Sequence, residues 1–416
     1  MTIDLTAHVR PGDTVVWGQM CAEPRTLTRA LMEQAPVIGA LRCFVGIPAA
    51  SSVTVETVPD EVEVHSYCGS GSNATLHAAG RLQVWPVHYS DLPALLTAGP
   101  LHADVVLVQV SEPDEHGRHS LGLADDYFSA ALDTARVVIA EISPQVPRTP
   151  GARTLTAADW AAAVVADDAP AEVAVPRRDE TTLAVARQVA ALIPDGATLQ
   201  FGIGALPEAV LGELFDRRDL GIHSGLFTDA AMRLVEAGVA TGVRKRLDTG
   251  VAVAGLLGGS AELFAWADHN PAVSLRPTSY THEPEVLAAM PSLVAVNAAL
   301  EVDLTGQINA EEISGRYVGA VGGAVDFLRG AARSEGGLPV VALPSQVEGH
   351  STIVPRLSGP VSTPRSEQVV VVTEQGVADL RGTTLAQRTE RLIAIAHPTH
   401  RAALEQAADG VLAAAV

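Results

Sequence analysis

A carboxylate at the end of an apolar run is the first feature of this chain that could do chemistry. Residues 297–309, NAALEVDLTGQIN, overlap the run LVAVNAAL, which reads as a buried strand. Glu301 falls where that strand ends, two residues before Asp303, and Gly306, Gln307 and Asn309 follow. In an open α/β sheet, ligands collect outside the carboxyl ends of the strands. A carboxylate there can attack a carbonyl if it is oriented and the developing oxyanion is stabilised. On residue types alone, a strand-end carboxylate in a surface salt bridge is the commoner outcome.

Other stretches could bind rather than react. In TLQFGIGALPEAVL a strand enters Gly202-Ile203-Gly204, and Pro207 lies at the start of a helix. Glycines let backbone approach a ligand, and a helix N-terminus favours an anion. The third glycine of the dinucleotide fingerprint is missing and no acidic residue closes a ribose site, so nicotinamide-cofactor binding is not the reading. Gly319, Ala320, Gly322 and Gly323 precede VDFLRGAA, a helix pattern. Such a turn offers N–H groups to an oxyanion. Arg244, Lys245 and Arg246 form the densest positive cluster. Adjacent charges on a turn are usually solvated, and phosphate binding is the alternative. The turn at 69–72, GSGS, reads as a strand-to-helix turn that could present N–H groups to an anion. The loop carrying Ser111, Glu112, Asp114, Glu115, His116 and His119 has no metal-ligand spacing and reads as polar loop; no metal is expected.

The bulk composition narrows the classes. The chain has 416 residues, 47% hydrophobic, with Lys+Arg 28 against Asp+Glu 48, a net charge of −20. Nucleic-acid binding needs a basic footprint that is absent. An anionic substrate must be held by a local site, not by the overall field. Three cysteines without CxxC spacing suggest free thiols in a reducing compartment. No signal-peptide pattern opens the chain, and apolar stretches stop short of the ~18 residues of a membrane span. The expectation is a soluble, cytoplasmic protein.

The elements that must position these residues follow a βα rhythm. PGDTVVWG, VIGALRCFVGI, DVVLVQV and RVVIAEIS read as strands, and RTLTRALMEQ as a helix with Pro24 near its first turn. Short apolar strands alternating with helical patterns imply α/β units with mainly parallel sheets. The acidic, Pro-containing stretch VVADDAPAEVAVPRRDETT breaks the pattern. It puts a boundary near residue 180, giving domains 1–180 and 181–416. The closing segment reads as strand, turn, helix, short strand (LIAIA) and helix.

In the C-terminal half six pieces stand in order: LQFGIGALPEAVL, GIHSGLFTDA, NAALEVDLTGQINAE, VGGAVDFLRGAA, VTEQGVADLRG and LIAIAHPTHRAAL. They resemble the acetyl-CoA hydrolase/transferase family, a branch of the family I CoA-transferases. DVVLVQVSEPDEHG and IAEISPQVPRTPG extend the likeness more loosely into the first half. The resemblance implies two homologous CoA-transferase-type (NagB/RpiA/CoA-transferase-like) α/β domains, an active site in the cleft between them, and a homodimer. It implies a CoA-transferase moving CoA between short carboxylic acids, with acetate, butyrate and 4-hydroxybutyrate as default partners. Glu301 would be the nucleophile, passing through an acyl-glutamyl anhydride to a glutamyl-CoA thioester. Asn297 and Gln307 would orient it, and the turn with Gly319, Ala320, Gly322 and Gly323 would hold the oxyanion. Gly202, Ile203, Gly204 and Pro207 would line the CoA site; Lys245, by its place in the positive cluster and not by the resemblance, is the candidate for the CoA phosphates. Coenzyme A is then substrate and covalent intermediate, with no further cofactor. Acyl-CoA hydrolysis on the same glutamate is the alternative, and a non-catalytic ligand-binding protein is a third reading. Two departures bear on substrate: Ser224-Gly225 stands where the family commonly has Thr-Glu after the histidine, and Thr352 stands in place of an arginine.

Overall fold

The computed structural model describes residues 3–50, 52–174 and 177–413. Two mainly parallel sheets organise them. The first runs Leu82–Val84, Val62–Ser66, Leu41–Phe44, Thr14–Trp17, Val105–Ser111, Val137–Ser143 and Ala162–Val165 in spatial order, every neighbour parallel. The second runs Gly221–Ile222, Thr198–Phe201, Leu293–Ala298, Leu338–Ala342 and Val370–Thr373, closed by the antiparallel Gly376–Asp379. Val105–Ser111 is buried along its whole length, as a β-branched run covered on both faces must be. The first sheet is complete by Val165 and the second begins at Thr198. Between them helix Glu180–Ala190 starts where the Asp179 side chain accepts the Thr182 N–H.

One apolar core runs through both sheets. Val16, Val106 and Val108 of the first belong to the same packed cluster as Leu199, Val296, Val340 and Val372 of the second. Backbone hydrogen bonds register the two halves. Asp125 N–H donates to Gly255 O at 2.8 Å and Leu257 N–H to Leu123 O at 2.8 Å. Gly69 N–H donates to Gly319 O at 2.7 Å and Tyr89 N–H to Gly322 O at 3.0 Å. Ser90 Oγ adds a bond to Asp326 Oδ1 at 2.9 Å.

The closing segment differs from its sequence reading. LIAIA is not a strand but the end of helix Leu385–Ile395, opened by a capping box between Thr384 and Gln387. Leu392, Ile395 and Ala396 are its buried residues there, a helical spacing that a short apolar run disguises. The preceding turn pairs Val370–Thr373 with Gly376–Asp379 as a hairpin.

Lys245 is also placed elsewhere than expected. Its side chain is buried at 3% exposure, and its Nζ donates to Ile222 O at 3.0 Å and Val251 O at 2.7 Å. It ties a loop to a strand end and does not face solvent with its neighbours. Arg244 and Arg246 turn to Asp219 and Glu335, each at 3.8 Å. The run RKR is therefore not one positive patch.

Burial pushes the Lys245 ammonium down from 10.5 to about 8. Between those values the unfolded chain keeps a proton that the folded chain has lost, so this group makes stability rise with pH from about 8 to 10.5. Urea titrations of the wild type and Lys245→Met at pH 7 and pH 10 should show the wild type gaining on the variant at the higher pH. A constant difference would mean that the buried amine does not titrate in that window.

Candidate active site

The carboxyl ends of both sheets converge on one cavity of about 320 Å³. From the first sheet, Gln19, Ile47, Tyr67, Cys68 and Ser70 follow the ends of three neighbouring strands. From the second, Gln200 and Phe201 end one strand, Gly202 and Ile203 follow it, and Asn297 and Ala298 end the next. The turn Gly319, Ala320, Val321, Gly322 and Gly323 forms another wall, leading into helix Ala324–Arg333. Tyr89, Gly225, His282 and Phe327 complete the floor. Among the described lining residues none is Asp, Glu, Lys or Arg.

A polar network ties three of these lining side chains to Asp126 behind them. Gln19 Nε2 donates to Tyr89 Oη at 2.7 Å and to Asp126 Oδ2 at 2.8 Å. Tyr67 Oη donates to Gln19 Oε1 at 2.8 Å, and Tyr89 Oη to Asp126 Oδ2 at 3.2 Å. Tyr67, Tyr89 and Tyr127 meet edge to face, with centroids 5.4 to 5.9 Å apart. Burial raises the Asp126 carboxyl to about 6, and the bonds from Gln19 and the Phe128 N–H oppose that rise. Pairing of the Gln19 amide with the Tyr67 and Tyr89 phenols holds those two rings in one arrangement, while the buried Tyr127 hydroxyl has no hydrogen-bond partner among the described residues.

The glycine turn is built by its contacts. A Cβ on Gly319 would lie 1.9 Å from Ala310 O, so no larger residue fits. The N–H groups of Gly319 and Ala320 are already spent, on Glu311 O and Ala310 O. Gly322 bridges to His88. Val321 and Gly323 make no N–H hydrogen bond among the described residues, and both line the cavity. The oxyanion donors expected from this turn are therefore narrowed to these two. Gly323 also begins helix Ala324–Arg333 without a side-chain cap, which leaves the positive end of the helix towards the cavity.

Of the residues named from sequence, the cavity brings together Gly202, Ile203, Asn297, Gly319, Ala320, Gly322 and Gly323. Gly204 and Pro207 sit just outside, as the N-cap and an early residue of helix Ala205–Gly212. Glu301 is not on the wall. Ser358 Oγ donates to its Oε1 at 2.6 Å, Ser358 N–H to Oε2 at 3.0 Å, and Asn309 Nδ2 to Oε2 at 3.3 Å. Its expected partners are engaged elsewhere. Asn297 exchanges amide bonds with Gln200 at 3.1 and 3.4 Å, and Gln307 Nε2 donates to Asp303 Oδ2 at 2.8 Å. Sequence reasoning missed Gln19, Tyr67, Tyr89, Asp126 and His282. None carries a spacing signal; only their position beyond strand ends could have marked the first two.

Comparison with known proteins agrees with this architecture. Residues 2–173 match the acetyl-CoA hydrolase/transferase N-terminal domain, and residues 259–408 match its C-terminal domain. The chain is 40% identical over 330 residues to a 4-hydroxybutyrate coenzyme A transferase of Clostridium kluyveri, covering 78% of this chain and 77% of that one. It belongs to the acetyl-CoA hydrolase/transferase family of enzymes. Among solved structures, RipA from Yersinia pestis superposes with a TM-score of 0.91 at 32% identity, over 98% of this chain and 95% of RipA. A 4-hydroxybutyrate CoA-transferase from Porphyromonas gingivalis gives 0.81 at 35% identity, over 97% and 94%.

Two glycines of this family member's cavity should respond in opposite ways. Gly319→Ala forces a Cβ against a backbone carbonyl and should cost about 1–3 kcal/mol in urea unfolding, with loss of activity as the wall shifts. Gly202→Ala meets nothing closer than 3.6 Å and should fold at wild-type stability. Equal stability of the two variants would mean that the turn gives way.

Proposed function

We propose that the cavity takes the acyl end of a coenzyme A thioester of a short carboxylic acid, and that the carbon–sulfur bond is opened there. The observation that carries this reading is the cavity itself. It is small, mostly apolar, set at the carboxyl ends of two parallel sheets, and has backbone N–H groups at a helix start where a thioester carbonyl would develop negative charge. Transfer of CoA to a second small carboxylate is the first reading, supported by the transferase relatives. Acetate, butyrate and 4-hydroxybutyrate are the acceptors to try first.

Hydrolysis is the second reading, and one observation favours it: no carboxylate side chain stands among the described residues of the wall. A covalent route through a glutamyl thioester on Glu301 would first have to break its bonds to Ser358 and Asn309. The side chain would then have to turn into the cavity. Charge-assisted hydrogen bonds of this kind contribute roughly 1.5–3 kcal/mol each, which the attack would have to offset.

The test is to incubate the protein with acetyl-CoA and butyryl-CoA, with and without each acceptor, and to follow free CoA and new acyl-CoA. Thioester consumption is expected in either reading, and its absence with every short acyl-CoA would overturn the proposal. New acyl-CoA formed only with an acceptor assigns transfer; free CoA formed equally without one assigns hydrolysis. Glu301→Gln should change turnover by less than about threefold, because its role is to hold Ser358. A loss of about a thousandfold would instead make Glu301 the nucleophile.

A further inference from the structure

One titratable side chain on the cavity wall has a reactive atom with no protein partner. His282 follows the short helix Thr278–Thr281 and is wedged between two aromatic rings. Tyr89 stacks on it with centroids 4.7 Å apart, and Phe327 packs at 4.5 Å. The Thr281 hydroxyl donates to Pro277 O at 3.4 Å and lies 2.9 Å from His282 Nδ1. With the Thr281 hydroxyl donating to Pro277 O, we assign the ring proton to Nδ1, which then donates to Thr281 Oγ1. In that tautomer Nε2 carries the lone pair on the cavity wall, and no described residue hydrogen-bonds to it.

Two missing side chains keep that lone pair open. A Cβ on Gly323 would come within 2.6 Å of Nε2. A Cβ on Gly225 would come within 3.3 Å of Cε1 and 3.6 Å of Nε2. Gly225 is not in the left-handed region, and Gly323 has φ −90°, so neither backbone conformation demands glycine. What the two glycines supply is room, at the Nε2 edge of the ring and on the wall of the cavity. Gly323 also begins the turn and helix whose N–H groups face the same space. A proton acceptor and oxyanion donors therefore border one small volume.

We propose that His282 is the general base of a hydrolytic reaction in this cavity, activating water against the thioester carbonyl of an acyl-CoA. The inference rests on the reading that an acyl-CoA enters the cavity. As the water oxygen bonds to the carbonyl carbon, Nε2 takes a water proton and the carbonyl electron pair moves onto oxygen. Collapse re-forms the C=O bond and breaks the C–S bond. Sulfur leaves with its electron pair and receives the proton from Nε2. Thioester and water become carboxylic acid and free CoA thiol, with His282 returned to its starting form. Burial holds the imidazole neutral, its value pushed down to about 3, with neighbouring His223 a smaller contribution in the same direction. The imidazolium that forms in the reaction arises beside the new oxyanion. Low dielectric strengthens that attraction and offsets the penalty of the buried charge.

The experiment measures free thiol released from acetyl-CoA and butyryl-CoA without an acceptor, together with acyl-CoA binding by calorimetry. His282→Gln should lower kcat by about a hundredfold to ten-thousandfold, with binding within about threefold of wild type. Added imidazole should restore part of the activity of His282→Ala, which a structural role would not produce. Gly225→Val, which crowds Nε2 without altering His282, should show the same loss and covers the case in which the histidine variants fold poorly. Turnover of His282→Gln or Gly225→Val near wild type overturns the role of His282. So does a wild-type enzyme that transfers CoA to carboxylates without hydrolysis, although the acyl-CoA reading then stands. A wild-type protein that neither binds nor consumes any short acyl-CoA overturns that reading, and the base with it.

Discussion

Everything at the site depends on the register between the two sheets. The cavity is not contained in either half: its walls are the carboxyl ends of both, and they meet because the chain is stitched across. Gly69 and Tyr89 of the first half donate to Gly319 and Gly322 of the second, so the glycine turn is held by the opposite sheet. A second seam, Asp125 to Gly255 and Leu123 to Leu257, fixes the same register on the other side. The shared apolar cluster makes sliding costly, because displacement would open voids across the whole interface. The glycines of the turn follow from this closeness: the approach to Ala310 and to His282 leaves no volume for a Cβ.

The electrostatics follow from the same packing. A wall without formal charge cannot hold an ionic substrate by attraction, but it strengthens any dipole aimed into it. Backbone N–H groups, the amides of Gln19, Gln200 and Asn297, the Ser70 hydroxyl, the Cys68 thiol, the Tyr67 and Tyr89 phenols and a neutral imidazole are the polar groups on this wall. The charge that is present, Asp126, sits one layer back and is covered by Gln19 and Tyr89. There it orients the floor and stays out of contact with whatever occupies the cavity.

The sheet class, the glycine turns and the family were legible because each is a local pattern. Buried strands announce themselves by β-branching, and the turn at 319–323 by its glycine content before a helix. The direction of the Glu301 side chain was not legible in that way. Its strand-end position is real, Glu301–Asp303 being a short strand, but the direction of the carboxylate is set by Ser358, 57 residues away. His282 was missed for the opposite reason. It sits in YTHEP, an unremarkable helix end, and gains its surroundings from Tyr89 and Phe327, which are distant in sequence. The LIAIA helix was misread because five apolar residues are too few to separate a strand period from a helical one.

The buried position of Lys245 has a consequence for the protein's dealings with activated acyl groups. Thioesters acylate free amines without any enzyme, and lysine side chains are the usual casualties. This chain has a single lysine, and it is sealed against two carbonyls. Its other long cationic side chains are arginines, whose guanidinium stays protonated and is a poor acyl acceptor. The chain thus presents an activated acyl group with no exposed side-chain amine.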